Sequence, residues 1–111
     1  MICFNPVRGV AYVNSASLKH YPNVDYVRFL ISPHEKLLCL YPCNGNEKNA
    51  IRMRSKSRLS IRYIRCEEFI HRLIIFAQWN GSCRYILGGS ITEIGNKSVI
   101  TFNLTGEAKI T

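Results

Sequence analysis

The sequence predicts a single α+β domain in which an antiparallel sheet packs against two helices. Its length of 111 residues is the usual size of one domain. One segment has the apolar spacing of an amphipathic helix, and several short segments have the β-branched and aromatic content of strands. The longest apolar run, residues 73–77, is far shorter than the roughly 18 residues that cross a membrane. The first residues lack the pattern of a secretory signal.

The first half of the chain predicts strands, one short helix and a hairpin. Residues 14–17 offer N-caps to a short helix over 15–21, which Pro22 ends. The turn-like residues 33–36 predict a hairpin connection between two strands rich in β-branched and aromatic residues. The predicted extended segments are 2–5, 10–13, 25–32 and 37–41.

The second half predicts an amphipathic helix over 66–79 and then two strands. Apolar residues at Phe69, Ile70, Leu73, Ile74 and Ala77 form one helical stripe. The strands are predicted over 83–94 and 98–104, around a hairpin turn at 95–97. The basic segment 48–65 is then a strand or ribbon inserted between two helix-plus-hairpin units of a single domain, residues 1–111.

The excess charge of the chain is concentrated in that one segment. Fifteen Lys and Arg stand against seven Asp and Glu, a formal net charge of +8. Residues 48–65 contain seven cations and no acid, and a field of one sign attracts polyanions. We therefore expect a phosphate-rich or acidic partner there. The candidate binding residues are Lys48, Arg52, Arg54, Lys56, Arg58, Arg62 and Arg65.

Alternation within the segment predicts a strand with cations on one face and apolar residues on the other. Arg52, Arg54 and Arg62 occupy even positions, and Tyr63 is expected to pack inward with the apolar odd positions. A turn at 55–57 would instead give a two-stranded ribbon, a shape that a DNA major groove admits. The same alternation is also explained without a binding function, by an edge strand with one face in solvent. Exposed Lys and Arg on such edge strands prevent aggregation.

The sequence predicts no enzyme, cofactor or metal. Five cysteines without a secretory signal favour reduced thiols in the cytoplasm. The spacing of His34, Cys39 and Cys43 does not match a common zinc site. No catalytic motif is present. A Cys–His nucleophile pair formed in the fold and a small basic ribonuclease stay as alternatives.

Two resemblances accompany these patterns. Residues 8–42 combine a strand, an N-capped short helix, an acidic residue that opens a strand, a charged turn and a strand that runs into Pro42. This order resembles the swapped-hairpin unit of AbrB/SpoVT-type bacterial DNA-binding proteins. The whole chain is similar to small integrase-like proteins of Firmicute mobile elements and phages, at residues 25–31, 41–43, 79–80 and 84–88. That similarity implies a mobile-element setting.

The function predicted first is non-enzymatic binding of nucleic acid through the basic segment, with DNA favoured over RNA. The alternative is an anti-defence inhibitor of the anti-CRISPR kind, which binds a host nuclease or nucleoprotein, because mobile elements carry both kinds of protein. No membrane partner is expected, and a homodimer is left open.

Overall fold

The computed structural model describes residues 1–14, 24–55, 62–105 and 109–110. Within them lie ten strands and one helix. The strands are β1 (Ile2–Asn5), β2 (Val10–Val13), β3 (Tyr26–Ser32), β4 (Leu37–Cys43), β5 (Ile51–Ser55), β6 (Arg62–Arg65), β7 (Tyr85–Leu87), β8 (Gly89–Ile94), β9 (Lys97–Asn103) and β10 (Lys109–Ile110). The helix is α1 (Glu67–Ala77). The predicted short helix over 15–21 lies outside the described residues.

The predicted α+β class is wrong, because the described structure is predominantly antiparallel sheet. The strands form one sheet in the order β10-β7-β1-β2-β6-β5-β3-β4-β9-β8. Gly88 alone separates β7 from β8, which lie towards opposite ends of that order. The sheet therefore curls round into a nearly closed barrel. Pairing of β4 with β9 also merges the two predicted hairpin units into one wall.

The core fills the inside of the barrel. Along each strand alternate residues point inward, and the inward ones are fully buried in β1 (Ile2, Phe4) and β2 (Val13). Leu38 and Phe102 lie opposite each other on β4 and β9 and are also fully buried. Because one wall surrounds these side chains, the apolar faces of β1 to β7 and of β9 contribute to the same core.

Helix α1 confirms the helix predicted over 66–79. Its buried residues are Ile70 and Leu73, and Gln78 ends it in the left-handed conformation. The ring of Phe69 stacks on Phe29 with centroids 4.4 Å apart and lies 6.5 Å from Phe4. Phe4 lies on β1 and Phe29 lies on β3, and three other strands separate these two in the sheet. Since α1 contacts both and begins directly after β6, it covers the end of the barrel where β6 stops. No helix in the described residues is long and apolar enough to cross a membrane.

The hairpins agree with the sequence better than the fold class does. The predicted connection at 33–36 joins β3 to β4, and the turn at 95–97 joins β8 to β9. The strand predicted over 83–94 is wrong as one piece, because the chain breaks at Gly88. Tyr85–Leu87 pairs with β1, whereas Gly89–Ile94 pairs with β9 on the other side of the closure.

Candidate functional site

The described part of the basic segment is a two-stranded antiparallel pair. Met53 lies opposite Ile64, and Arg54 lies opposite Tyr63. This arrangement corresponds to the ribbon alternative rather than to one continuous strand. Both outer edges of the pair are occupied, since β3 pairs with β5 and β2 pairs with β6. The described part of the ribbon is therefore built into the barrel wall.

Hairpin pairing decides which side chains face outward. Residues opposite each other share a face of the sheet, and Met53 and Ile64 are buried in the core. Arg54 and Tyr63 consequently lie on the outer face. The predicted alternation holds in β5, but its phase reverses in β6, where Ile64 points inward. The expectation that Tyr63 packs inward is wrong for this reason.

Arg62 differs from the other predicted binding residues. It lies on the inward side of β6, opposite Val13, and is half-buried. Its Nη1 donates a hydrogen bond of 2.6 Å to the carbonyl oxygen of Val24. The guanidinium thus ties β6 to the segment that leads into β3, which is a structural role.

The other predicted binding residues fall into three groups. Arg52, Arg54 and Arg65 are exposed on the wall, and within the described part of the chain no carboxylate lies within 4.0 Å of their guanidinium groups. Lys48 is exposed in the loop that follows β4. Lys56 and Arg58 lie outside the described residues.

Two cations that the sequence reasoning missed lie on the neighbouring part of the same wall. The Nζ of Lys97 is 5.0 Å from the ring centroid of Tyr41, and the Cζ of Arg28 is 5.7 Å from it. Both geometries place a cation within reach of the aromatic ring. The Nε of Arg28 is buried and has no hydrogen-bond partner among the described residues. This guanidinium therefore has unfilled hydrogen-bonding capacity.

Tyrosines separate these cations on the outer wall. Tyr63 lies opposite Tyr12, and Tyr26 lies opposite Arg52. The four tyrosines of this wall, Tyr12, Tyr26, Tyr41 and Tyr63, are each half-buried, so each side chain keeps some accessible surface. We call this surface the outer basic face; it consists of Arg28, Arg52, Arg54, Arg65 and Lys97 with Tyr12, Tyr26, Tyr41 and Tyr63.

Acidic residues are nearly absent from the strands. Glu93 on β8 is the only carboxylate in the described strands, and it accepts a hydrogen bond from the Ser98 hydroxyl. The other described acids are in loops or at the start of α1, as with Glu67 and Glu68. The outer basic face is therefore flanked by acids but contains none.

An open cleft of about 1160 Å³ adjoins this face. It forms where the strands part, since β5 pairs with β6 at Met53–Ser55 but with β3 at Ile51 and Arg52. Its lining includes four aromatic residues, one of them Phe29, three arginines and the two carboxylates of Glu67 and Glu68. The arginines are Arg8, Arg65 and Arg72, and the other three aromatic residues are Tyr12, Tyr63 and Phe69.

Four of the thiols, those of Cys3, Cys39, Cys43 and Cys66, are poorly suited to nucleophilic chemistry. Burial raises the pKa of Cys66 to about 12 and raises the pKa values of Cys3 and Cys39. Burial is the main cause that raises the pKa of Cys43, and the negative charge of Glu47 raises it further. The positive charges of Arg28 and Lys97 lower this pKa but do not cancel the increase. A thiolate is the reactive form. Within the described residues no group of three or more His, Cys, Asp and Glu is placed to hold a metal ion.

Known proteins add no functional assignment to this geometry. Comparison of the chain with protein families, curated proteins and solved structures finds no match. The two resemblances stated from the sequence stay predictions.

Proposed function

We propose that this protein binds nucleic acid without catalysing a reaction, and that its outer basic face contacts the phosphates. The observation that supports it most is the exposure of Arg52, Arg54 and Arg65 on a wall where no carboxylate of the described residues lies within 4.0 Å of their guanidinium groups. DNA is the proposed ligand. The resemblance to integrase-like proteins supports a mobile-element or phage setting, and the free cysteines suit the cytoplasm.

The physical argument is that exposed cations without a carboxylate partner among the described residues lose little when they meet a polyanion. A salt bridge with a protein carboxylate would have to break first, whereas these guanidinium groups are already available. Neutralised phosphates also release condensed counterions, which provides most of the affinity at low salt. A mixed-charge surface would serve solubility equally well, so the absence of acids from the face favours binding.

Salt dependence tests the proposal directly. With four to five phosphates neutralised, the logarithm of the affinity for duplex DNA should fall against the logarithm of salt concentration with a slope of about −4. The measurement is fluorescence anisotropy across a salt series. Absence of binding to any nucleic acid at low salt would contradict the proposal and favour an acidic protein surface as the target.

Charge reversal identifies the face. Arg54→Glu combined with Arg65→Glu should reduce the slope by about two or more, because each phosphate contact contributes about one. Lys36→Glu is the control, with the loss compared per reversed charge, since Lys36 is exposed in the turn at the far end of the β3–β4 hairpin. Equal losses per reversed charge would indicate a general charge effect and would contradict a specific face.

A further inference from the structure

The structure points to a more specific ligand class: we propose that the bound nucleic acid is single-stranded, with bases stacked on the tyrosines of the outer basic face. This inference rests on the proposed function. Tyr63 and Tyr12 receive bases beside the cleft, while Arg52, Arg54 and Arg65 contact the backbone.

The first argument concerns the shape of the basic pair. A two-stranded ribbon enters a major groove of about 12 Å only when it projects from the protein. Here β2 and β3 flank β6 and β5, so the described ribbon is part of a wall at least four strands wide. Neighbouring strands are about 4.8 Å apart. Such a wall is too wide for the groove, but it suits a strand laid across its surface.

The second argument concerns the tyrosines. In a duplex the flat faces of the bases are covered by their neighbours, and protein side chains reach mainly the base edges. A single strand exposes those faces, and aromatic rings beside basic groups are the usual way to bind it. Tyr63 has Arg54 opposite it on one strand and Tyr12 opposite it on the other. Aromatic and cationic groups are thus combined within one cross-strand row.

The third argument concerns space beside that row. The cleft of about 1160 Å³ is lined by Tyr63, Tyr12 and Arg65 and, from α1, by Phe69 and Arg72. The carboxylates of Glu67 and Glu68, at the start of α1, also belong to its lining. The rings offer an apolar surface to a base, and the guanidinium groups on the lining offer partners to its phosphate. A base can enter only after it leaves a stack, which costs least in a single strand.

The experiment compares three probes on the full chain: a labelled DNA strand of about 16 nucleotides, its RNA counterpart and the matching DNA duplex. At low salt, one or both single strands should bind at least about tenfold more tightly than the duplex. The two single-strand arms distinguish DNA from RNA as the source of the ligand. Duplex binding as tight as single-strand binding would overturn this inference and leave the proposed function standing.

Substitution of one ring separates stacking from charge. Tyr63→Leu should weaken single-strand binding about tenfold, since base–aromatic stacking contributes about 1–3 kcal/mol per base. Tyr63→Phe keeps the ring and should stay within about twofold of the parent protein. Thermal melting of both variants checks that they fold. Tyr63→Leu binding as well as Tyr63→Phe would overturn the stacking role, and no binding of any probe would overturn the proposed function as well.

Discussion

Arg62 shows at the scale of one residue that a cation in a basic segment can be structural. Arg62→Met removes the donor to the Val24 carbonyl oxygen and leaves that acceptor without its partner. Because a hydrogen bond from a charged group contributes about 1.5–3 kcal/mol, we expect the free energy of unfolding to fall by about that amount. Urea denaturation measures it.

Arg65→Met is the control for that experiment, since Arg65 lies on the same strand but is exposed. Its free energy of unfolding should change by less than about 0.5 kcal/mol. Equal decreases in the free energy of unfolding of Arg62→Met and Arg65→Met would show that the hydrogen bond to Val24 does not account for the loss of stability.

Side-chain direction was predictable from the sequence only as far as local alternation allowed. Arg52 and Arg54 share the outer face because they are two residues apart on one strand. Arg62 and Tyr63 could not be placed in the same way, since their faces depend on pairing across the hairpin. Lys97 meets Tyr41 because β9 lies beside β4, a contact between distant parts of the sequence that leaves no local pattern.

At the scale of an element, the junction between β7 and β8 gives a matched pair of tests. A Cβ atom on Gly89 would lie 2.7 Å from Cγ2 of Ile100 and 2.8 Å from Cε1 of Phe102, both in the core. Gly89→Ala should therefore lower the free energy of unfolding by about 1–3 kcal/mol. A Cβ atom on Gly88 meets nothing within 4 Å.

Gly88→Ala is accordingly the control, and its unfolding midpoint in urea should stay close to that of the parent protein. A loss of stability with Gly88→Ala as large as with Gly89→Ala would mean that chain flexibility at the junction, not the close packing on Ile100 and Phe102, makes glycine necessary there.

Elements with a strong local signal were predictable, and those defined by their partners were not. Helix α1 follows from its apolar stripe and acidic first turn. The β3–β4 and β8–β9 hairpins follow from turn residues between strand-like segments. The Gly88-Gly89 pair is a local signal for a break. The strand partners were not predictable, because Tyr85–Leu87 and Gly89–Ile94 are both strand-like and differ only in the strands they join.

At the scale of the whole molecule, burial of thiols makes stability depend on alkaline pH. The pKa of Cys66 rises from its ordinary value of 9.0 to about 12 in the folded protein. Above pH 9 the unfolded chain loses this proton while the folded chain keeps it, so the contribution to stability is present below pH 9 and is lost as pH rises towards 12. The slope for this thiol approaches about 1.4 kcal/mol per pH unit.

Cys66→Ala isolates that effect from lysine and tyrosine titration. The difference in the free energy of unfolding between the parent protein and Cys66→Ala should shrink as pH rises from neutral to alkaline values. Urea denaturation at several pH values provides the comparison. A difference that stays constant with pH would mean that Cys66 ionises equally in the folded and unfolded chains.

Closure of the barrel joins parts of the chain that are synthesised far apart in time. Ile2 lies opposite Leu87, so one edge of β1 stays unpaired until the chain has been made as far as β7. Sheets dominated by such distant pairings fold slowly, on the scale of milliseconds to seconds. A nascent chain that ends before β7 thus exposes an open strand edge on the ribosome, and the complete wall that carries the outer basic face forms late in biosynthesis.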